Sequence, residues 1–453
     1  MGAEPLRNTL VGFNLNWKRE SQWLTNMLDK IPFLHLTQPS YISFTGEFAK
    51  LFAGQASGTQ DNASYLDDFE NTKNTIDVMS PTSWVLSSVP SSNFRQDYND
   101  KTGLTSGFRR SRLAWYTIDP LFTRRGSSLT PGHIKSDLAQ LSNHYVREVY
   151  VRELFPLRQQ SSYSGATNTL SVLNLAYYPA EPGPYNFNPD LQPDGTLAMP
   201  QQNWGGMMRK LDTNDFEQAN VEYIEFWMLD PFIYSREQAD AAQYGGDFYI
   251  NLGEISEDIL RDGKKFYESG MPVDGTSNFT YTQWGKIPAQ STVTYAFATT
   301  SGSRALQDVG FNGLTDAEEQ EFYKSAYLDQ IQGKVNQAVF DSIFADPARD
   351  DYHYFRGSDW DEMRAPILQR YKYINNPQGN SPDSDSRSES YDTSYKSTPD
   401  VEDINQDYTL NEYEKYFQYR VSIRPEDLVV GNNHIVDKLS LIHISEPTRL
   451  ALI

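Results

Sequence analysis

Two stretches near the start of the chain alternate strictly between apolar and polar residues. They are residues 8–18 and residues 41–51. The apolar positions are Val11, Phe13, Leu15 and Trp17 in the first stretch and Ile42, Phe44 and Phe48 in the second. A period of two predicts β-strands. About ten residues with a Trp at one end are typical of a strand in a membrane β-barrel, and the alternative is a pair of half-buried strands in a soluble sheet.

The sequence beyond these stretches predicts one helical connection and many short strands. Trp23, Met27 and Ile31 follow helical spacing, so a short helix or a structured loop should join the first two strands. From about residue 61, β-prone runs alternate with turn residues, which favours a β-sandwich or jelly roll. The candidate strands are residues 65–79, 83–90, 113–123, 145–155, 169–179, 219–232, 246–253, 291–299 and 416–423.

A helical region interrupts the β-rich pattern. Thr315 and Glu318 have the spacing of a capping box, and residues 316–345 carry a helical period. Acidic residues crowd the first turn, where the helix dipole favours negative charge. Residues 375–400 are rich in Ser and Asp and predict a loop before the chain returns to a strand.

Composition excludes several classes of function. The formal net charge of −21 would repel a phosphate backbone, so nucleic acid is not expected as a partner. The chain has no Cys, which rules out disulfides and thiolate metal sites. Its six His residues lack zinc-hydrolase spacing, and no P-loop, G-x-G-x-x-G or G-x-S-x-G motif occurs. We therefore predict no catalytic residues and no cofactor, apart from a candidate calcium site.

The candidate calcium site is the stretch Asp403–Glu414, which places oxygen-bearing side chains at the spacing of an EF-hand loop. The ligands would be Asp403, Asn405, Asp407, Thr409 through its carbonyl, Asn411 and Glu414. Tyr408 stands at the sixth position, where the sharp turn of such a loop requires Gly. No helix is predicted before the loop either, so a solvated turn leading into the next strand is the favoured alternative.

The last residues of the chain have a separate interpretation. Residues 439–449 read LSLIHISEPTR, which is the translation of a common sequencing-library adapter. The alternative is a genuine amphipathic strand, since Leu439, Leu441 and Ile444 are apolar. Eleven matching codons favour the adapter, so residues 439–453 are excluded from the fold prediction.

Six longer blocks of the sequence resemble the SprA/Sov family. They are residues 12–33, 113–123, 143–156, 203–232, 246–272 and 398–421. Blocks of this length in matching order are more specific than any short motif, and together they extend over most of residues 8–438. The helical region and the acidic loop resemble the family least.

The resemblance implies an outer-membrane translocon of the type IX secretion system that also supports gliding motility. Such a protein is a very large β-barrel with soluble β-rich domains inserted between its strands, in the size class of about 36 strands. It would pass folded cargo proteins across the outer membrane, surrounded by lipid and assisted by other secretion-system subunits. It is not an enzyme. A barrel of this size needs several times 453 residues, so we expect this chain to be an internal fragment.

On this interpretation the fold is mainly β: part of a very large outer-membrane β-barrel, with an inserted jelly-roll or β-sandwich domain and one helical insert. The predicted regions are 1–60 (barrel strands), 61–305 (β-sandwich), 306–374 (helical insert), 375–402 (acidic Ser-rich loop), 403–438 (returning β segment) and 439–453 (adapter). The competing interpretation is a secreted or surface β-sandwich module that binds glycans, which the many aromatic residues would serve.

Overall fold

The computed structural model describes residues 9–33, 38–52, 75–90, 103–156, 168–234, 244–264, 278–289, 297–384 and 395–438. The chain divides into two compact units, Met1–Thr75 and Ile76–Ile453. The predicted strand at 291–299 falls mostly outside the described residues, as do the first part of the one at 65–79 and the adapter-like segment 439–453.

The first unit is a long β-hairpin. Strand β1 (Thr9–Glu20) pairs antiparallel with strand β2 (Tyr41–Phe52) over all twelve residues of each. Between them lies helix α1 (Gln22–Leu28), which begins where the Ser21 hydroxyl accepts a hydrogen bond from the Leu24 amide at 3.3 Å. The alternation in the sequence thus correctly predicts both strands, and the helical spacing correctly predicts the connection.

The second unit contains short strands that pair antiparallel in twos. They are β3 (Val85–Leu86), β4 (Ser111–Tyr116), β5 (Val149–Tyr150), β6 (Thr169–Leu170), β7 (Asn174–Pro182), β8 (Met207–Met208), β9 (Asp247–Glu254), β10 (Phe279–Tyr281), β11 (Lys286–Pro288) and β12 (Lys415–Ser422). The pairs are β3 with β8, β4 with β7, β5 with β6, β9 with β12, and β10 with β11. The β-sandwich prediction for residues 61–305 stays a prediction.

The helices of the second unit are short. They are α2 (Pro120–Thr123), α3 (Gly132–Ser136), α4 (Leu138–Leu141), α5 (Val151–Leu154), α6 (Ser303–Gln307), α7 (Asp316–Phe322), α8 (Asp329–Ile331), α9 (Gln337–Ala345), α10 (Ser358–Glu362) and α11 (Ile367–Arg370). A π-helical turn, Lys324–Leu328, joins α7 to α8. Single 3₁₀ turns occur at Pro81–Ser83, Leu104–Gly107 and Pro200–Gln202.

Strand β4 lies between two hydrophobic cores of this unit. Because successive side chains of a strand point to opposite faces, Trp115 joins one core while Ala114 and Tyr116 join the other. In the first core the rings of Phe187 and Tyr323 have centroids 4.0 Å apart. In the second core the ring of Tyr116 stacks on that of Tyr371 at 4.5 Å. The two cores are therefore joined through one doubly buried strand.

The helical prediction for residues 316–345 is confirmed in α7, α8 and α9. Tyr323, Tyr327 and Ile331 are buried, and their spacing of four residues places them on one helical face. The capping box also forms, since the Thr315 amide donates to the Glu318 carboxylate at 3.0 Å. The helix does not run through to residue 345, because the chain turns at Gly333, whose φ of 78° is left-handed.

Some predicted strands are wrong in whole or in part: residues 75–79 form no strand, and the stretch 113–123 is strand only to Tyr116. Within residues 145–155 only Val149–Tyr150 form a strand, β5; beyond it the carboxylate of Glu153 accepts hydrogen bonds from the Tyr150 amide and the Arg147 side chain, which closes the helical turn α5. Residues 221–230 pair with no strand among the described residues. These stretches have β-prone composition, but a strand forms only where a partner backbone accepts its hydrogen bonds.

Candidate functional site

The hairpin of the first unit presents an apolar face. The strand register places alternate residues of the two strands on one side, so this face follows directly from the pairing. We call its apolar part the apolar face, namely Val11, Phe13, Leu15, Trp17, Ile42, Phe44, Phe48 and Phe52; Thr9, Arg19, Gly46 and Lys50 lie on the same side of the hairpin. Every side chain of the apolar face is exposed, with Phe13 at 61% and Phe48 at 59%. Large apolar patches of this kind mark surfaces that contact a partner or a membrane.

The opposite face of the hairpin is polar over the half nearest the connection. The Asn14 amide donates to the Glu47 carboxylate across the strands at 3.1 Å. Lys18 lies 4.9 Å from the centre of the Tyr41 ring. At the open end this face becomes apolar, with Leu10 opposite Leu51. The hairpin is therefore amphipathic across its width, with aromatic rings at both ends of the apolar face.

The helices give no sign of a membrane span: none of those in the described part of the chain is both long enough and apolar enough to cross a bilayer.

The predicted calcium loop, Asp403–Glu414, is folded by hydrogen bonds to its own backbone. The buried Asp403 carboxylate accepts from the amides of Asp407 and Tyr408 at 3.1 and 2.9 Å. The Asp407 carboxylate accepts from the amide and hydroxyl of Thr409 at 2.8 and 2.6 Å, which holds its pKa below the usual range. Tyr408 occupies the sixth position, where an EF-hand loop requires Gly, and it adopts a left-handed φ of 67°. The contact of Asp407 with the Thr409 amide is that of an Asx turn, whereas Asp403 reaches amides four and five residues further along the loop.

Two residues from an earlier segment complete the loop. Glu257 is buried and accepts from the amides of Asn405 and Asn411 at 3.0 and 3.1 Å, so one carboxylate ties two points of the loop together. Burial raises the pKa of Glu257. Glu414 forms an ion pair with Arg261. The geometry thus assigns hydrogen-bonding roles to most of the predicted ligands, and calcium binding here stays a prediction.

A second group of carboxylates, which the sequence did not point to, is brought together by the fold. Glu319 on α7, Asp346 at the end of α9 and Asp350 in the following loop offer oxygen atoms that lie within 4.8 Å of one another. We call these three residues the acidic cluster. Among the described residues it is where three such groups converge. The signal that could have found it is the run Asp346–Asp351, which reads DPARDD and follows the predicted helix.

The carboxyl groups of the acidic cluster have raised pKa values. Burial raises the pKa of Glu319 to about 8, and the charge of Asp346 adds to the effect. Burial, together with the charges of Glu319 and Asp346, raises the pKa of Asp350 well above its usual range. Next to them, burial and the charge of Asp346 raise the pKa of Asp351 to about 7. Like charges held together in a dry site favour protonation or a bound cation.

Comparison with known proteins adds one match. Residues 326–445 match the SprA_N family model, which is described as a motility related/secretion protein. No curated protein matches the chain. The match covers part of the helical region and the acidic loop, where the resemblance was expected to be weakest, and also the block 398–421, on which the resemblance was partly based; it runs into the segment 439–453 interpreted as adapter. This match, over about a quarter of the chain, supports a place for it in the SprA family of motility and secretion proteins.

Proposed function

We propose that this chain is a part of the outer-membrane translocon of the type IX secretion system, which moves folded cargo proteins across the outer membrane and supports gliding motility. In this proposal β1 and β2 are neighbouring strands of a very large β-barrel, and the second unit is a domain inserted between barrel strands. The chain acts as a transport protein and not as an enzyme. Its partners are other secretion-system subunits, cargo proteins and outer-membrane lipid.

The observation that carries the proposal is the apolar face of the hairpin. From Val11 to Trp17 it extends over seven residues, which span about 20 Å at 3.3 Å per residue. That length approaches the apolar band of about 25 Å in outer-membrane barrels. The aromatic side chains at its two ends, Trp17 with Phe44 and Phe52, have the position of interfacial girdles. The family description as a motility and secretion protein agrees with this role.

The proposal can be tested with charges on the two faces of the hairpin. Phe13→Lys and Phe48→Lys each place an ammonium group on the apolar face, whereas Asn16→Lys places one on the polar face. A lysine facing lipid at mid-bilayer costs about 2–4 kcal/mol. In the native organism we expect both apolar-face variants to reduce the amount of protein in the outer membrane and the amount of cargo outside the cell.

Asn16→Lys is the matched control, and it should leave both quantities near the wild-type level. Equal tolerance of Lys at Phe13 and at Asn16 would contradict a lipid-facing role for the apolar face. Normal protein levels with blocked secretion in all three variants would show that the hairpin contacts cargo and not lipid.

A second candidate function is a surface module that binds glycans. The observation in its favour is a group of aromatic side chains around the 403–414 loop: Tyr408, Tyr413 and Phe417 are each more than 70% exposed. Exposed rings of this kind can stack on sugars. Titration of tryptophan and tyrosine fluorescence with a broad sugar panel tests it, with Tyr413→Ala as the comparison. A flat response in the wild-type chain would remove this alternative.

A further inference from the structure

The acidic cluster is surrounded by hydrogen bonds that orient its carboxylates. Glu319 is fully buried; its Oε1 accepts from the Asn312 side chain at 2.6 Å and its Oε2 from the Ala348 amide at 3.0 Å. The Asp346 carboxylate accepts from the amides of Asp350 and Asp351 at 3.2 and 3.4 Å. Each carboxylate oxygen has two lone pairs, so these bonds leave acceptor capacity in the cluster.

Asp350 has no such support. It is 1% exposed, and neither of its carboxylate oxygens has a hydrogen-bond partner. The Tyr185 hydroxyl is the neighbouring group that can donate to this carboxylate, and it accepts from the Phe311 amide at 2.7 Å. A buried ionised carboxylate without a partner is costly, by several kcal/mol, unless a cation compensates it. The carboxylate of Asp350 therefore lies in the cluster beside the neutral Tyr185 hydroxyl, with no cationic side chain bonded to it among the described residues.

The backbone makes room for this carboxylate. Gly310 has a left-handed φ of 66°, and a Cβ atom built there would lie 2.4 Å from Oδ2 of Asp350 and 2.5 Å from the Tyr185 hydroxyl. No side chain other than that of glycine fits this position. The absence of a side chain at Gly310 thus lets the Asp350 carboxylate and the Tyr185 hydroxyl approach the backbone at this point.

No basic side chain closes on the cluster. The charges of Arg112 and Arg349 act on Asp346, but their side chains donate hydrogen bonds to other groups: Arg112 to Asn376, and Arg349 to the Asn186 carbonyl and the Tyr327 hydroxyl. In the described part of the chain, no ion pair within 4.0 Å includes any of the three carboxylates. Asp316 and Asp351 add further negative charge to the surroundings.

We propose that Glu319, Asp346 and Asp350 bind a Ca²⁺ ion that fixes the loop after α9 to helix α7. The donors are all hard oxygens, which suit Ca²⁺ and Mg²⁺. Calcium is the better match because it accepts several protein oxygens in irregular geometry, whereas Mg²⁺ keeps most of its water. The site is separate from the loop at 403–414, and it does not depend on the proposed role in secretion.

Calcium titration of the full chain tests this site. The protein is stripped with EDTA, held in mild detergent and titrated with CaCl₂ by calorimetry. We expect about one ion bound per chain at this cluster, with a melting temperature raised by about 5 °C at a hundredfold excess over the dissociation constant. MgCl₂ should compete weakly.

Four variants locate the bound ion. Asp350→Asn and Glu319→Gln keep the shape of the side chains but remove a charge, and each should abolish the heat of binding and the thermal shift. Both should fold, because each relieves repulsion in the calcium-free protein; near-ultraviolet circular dichroism checks this. Asp329→Asn on α8 removes an exposed carboxylate and is the matched control. Asp407→Asn tests the 403–414 loop and should also bind like wild type.

The outcomes are distinct. Loss of binding in Asp350→Asn and Glu319→Gln, with binding kept in the other two variants, supports the proposal. Loss in Asp407→Asn alone would move the ion to the 403–414 loop and overturn it. An absence of calcium binding in the wild-type chain would show that shared protons hold the cluster together. Binding of Mg²⁺ without Ca²⁺ would overturn the choice of ion.

Discussion

Phe13 and Phe187 have the same side chain but lie in opposite environments. Phe13 lies on the apolar face of the hairpin and is 61% exposed, whereas Phe187 lies in the first core of the second unit and is 1% exposed. Trp17 and Trp115 differ in the same way, at 44% and 2%. Both tryptophans lie in strands, so a β-prone sequence alone does not say what covers an apolar face. In the second unit the covering layer is protein, and in the hairpin it has to come from elsewhere.

Replacing each phenylalanine with alanine should give the largest difference in unfolding free energy between the two environments. Phe187→Ala leaves a cavity between Tyr323 and Trp284, and we expect it to lower the free energy of unfolding of the second unit by about 3–5 kcal/mol. Phe13→Ala should change it by less than about 0.5 kcal/mol. Urea denaturation of the full chain, followed by near-ultraviolet circular dichroism, measures both. Similar losses in the two variants would contradict an exposed apolar face.

The two units should also respond differently to pH. Several carboxylates of the second unit have a raised pKa, namely Glu319 at about 8, Asp258 and Asp351 at about 7, and Asp308 at about 6. The folded state therefore holds more protons than the unfolded state between about pH 4 and pH 8. Stability from this source is complete below pH 4 and is lost as the pH rises through these values.

Without divalent ions, we expect the free energy of unfolding of the second unit to fall by a few kcal/mol between pH 5 and pH 8. Amide exchange of the full chain, read by mass spectrometry, reports the two units separately. The hairpin should show no such loss of protection once exchange rates are corrected for pH, since its charged side chains are exposed. A second unit that gains stability over this range would refute the assignment of buried protonated carboxylates.

A smaller effect is expected at Gly310. Gly310→Ala forces a side chain into left-handed backbone and against Asp350, which should cost about 1–3 kcal/mol. Gly333 also has a positive φ, but nothing lies within 4 Å of a Cβ built there. Gly333→Ala is therefore the control for backbone strain alone, and it should cost less. Equal losses at both positions would mean that contact with Asp350 contributes little.

The smallest predicted effect is at the ion pair between Arg261 and Glu414. Both side chains are partly buried, at 21% and 10% exposure. Glu414→Gln should lower the free energy of unfolding by about 1 kcal/mol, because it removes one charge and keeps the shape. The effect should shrink in high salt. A loss that calcium chelation reproduces in the wild type but not in the variant would instead favour Glu414 as a metal ligand.

Local signals in the sequence determined much of the backbone. The alternation at residues 8–18 and 41–51 correctly predicts β1 and β2 with nearly correct limits, and Thr315 with Glu318 predicts the start of α7. The strands follow from a two-residue period of apolar side chains, and the helix start follows from a contact between residues three positions apart. The same local logic failed at residues 151–154, because Glu153 can close a helical turn that β-propensity does not register.

The roles of the side chains depend on the folded arrangement. Asp403 and Asp407 have ligand spacing in the sequence, but the fold engages their oxygens with nearby backbone amides. Glu319, Asp346 and Asp350 have no ligand motif, yet the turn between α7 and α9 brings their carboxylates within 4.8 Å. Spacing along the chain fixes which side chains share a face. Convergence of distant carboxylates depends on how helices and loops close over long separations, which no local pattern encodes.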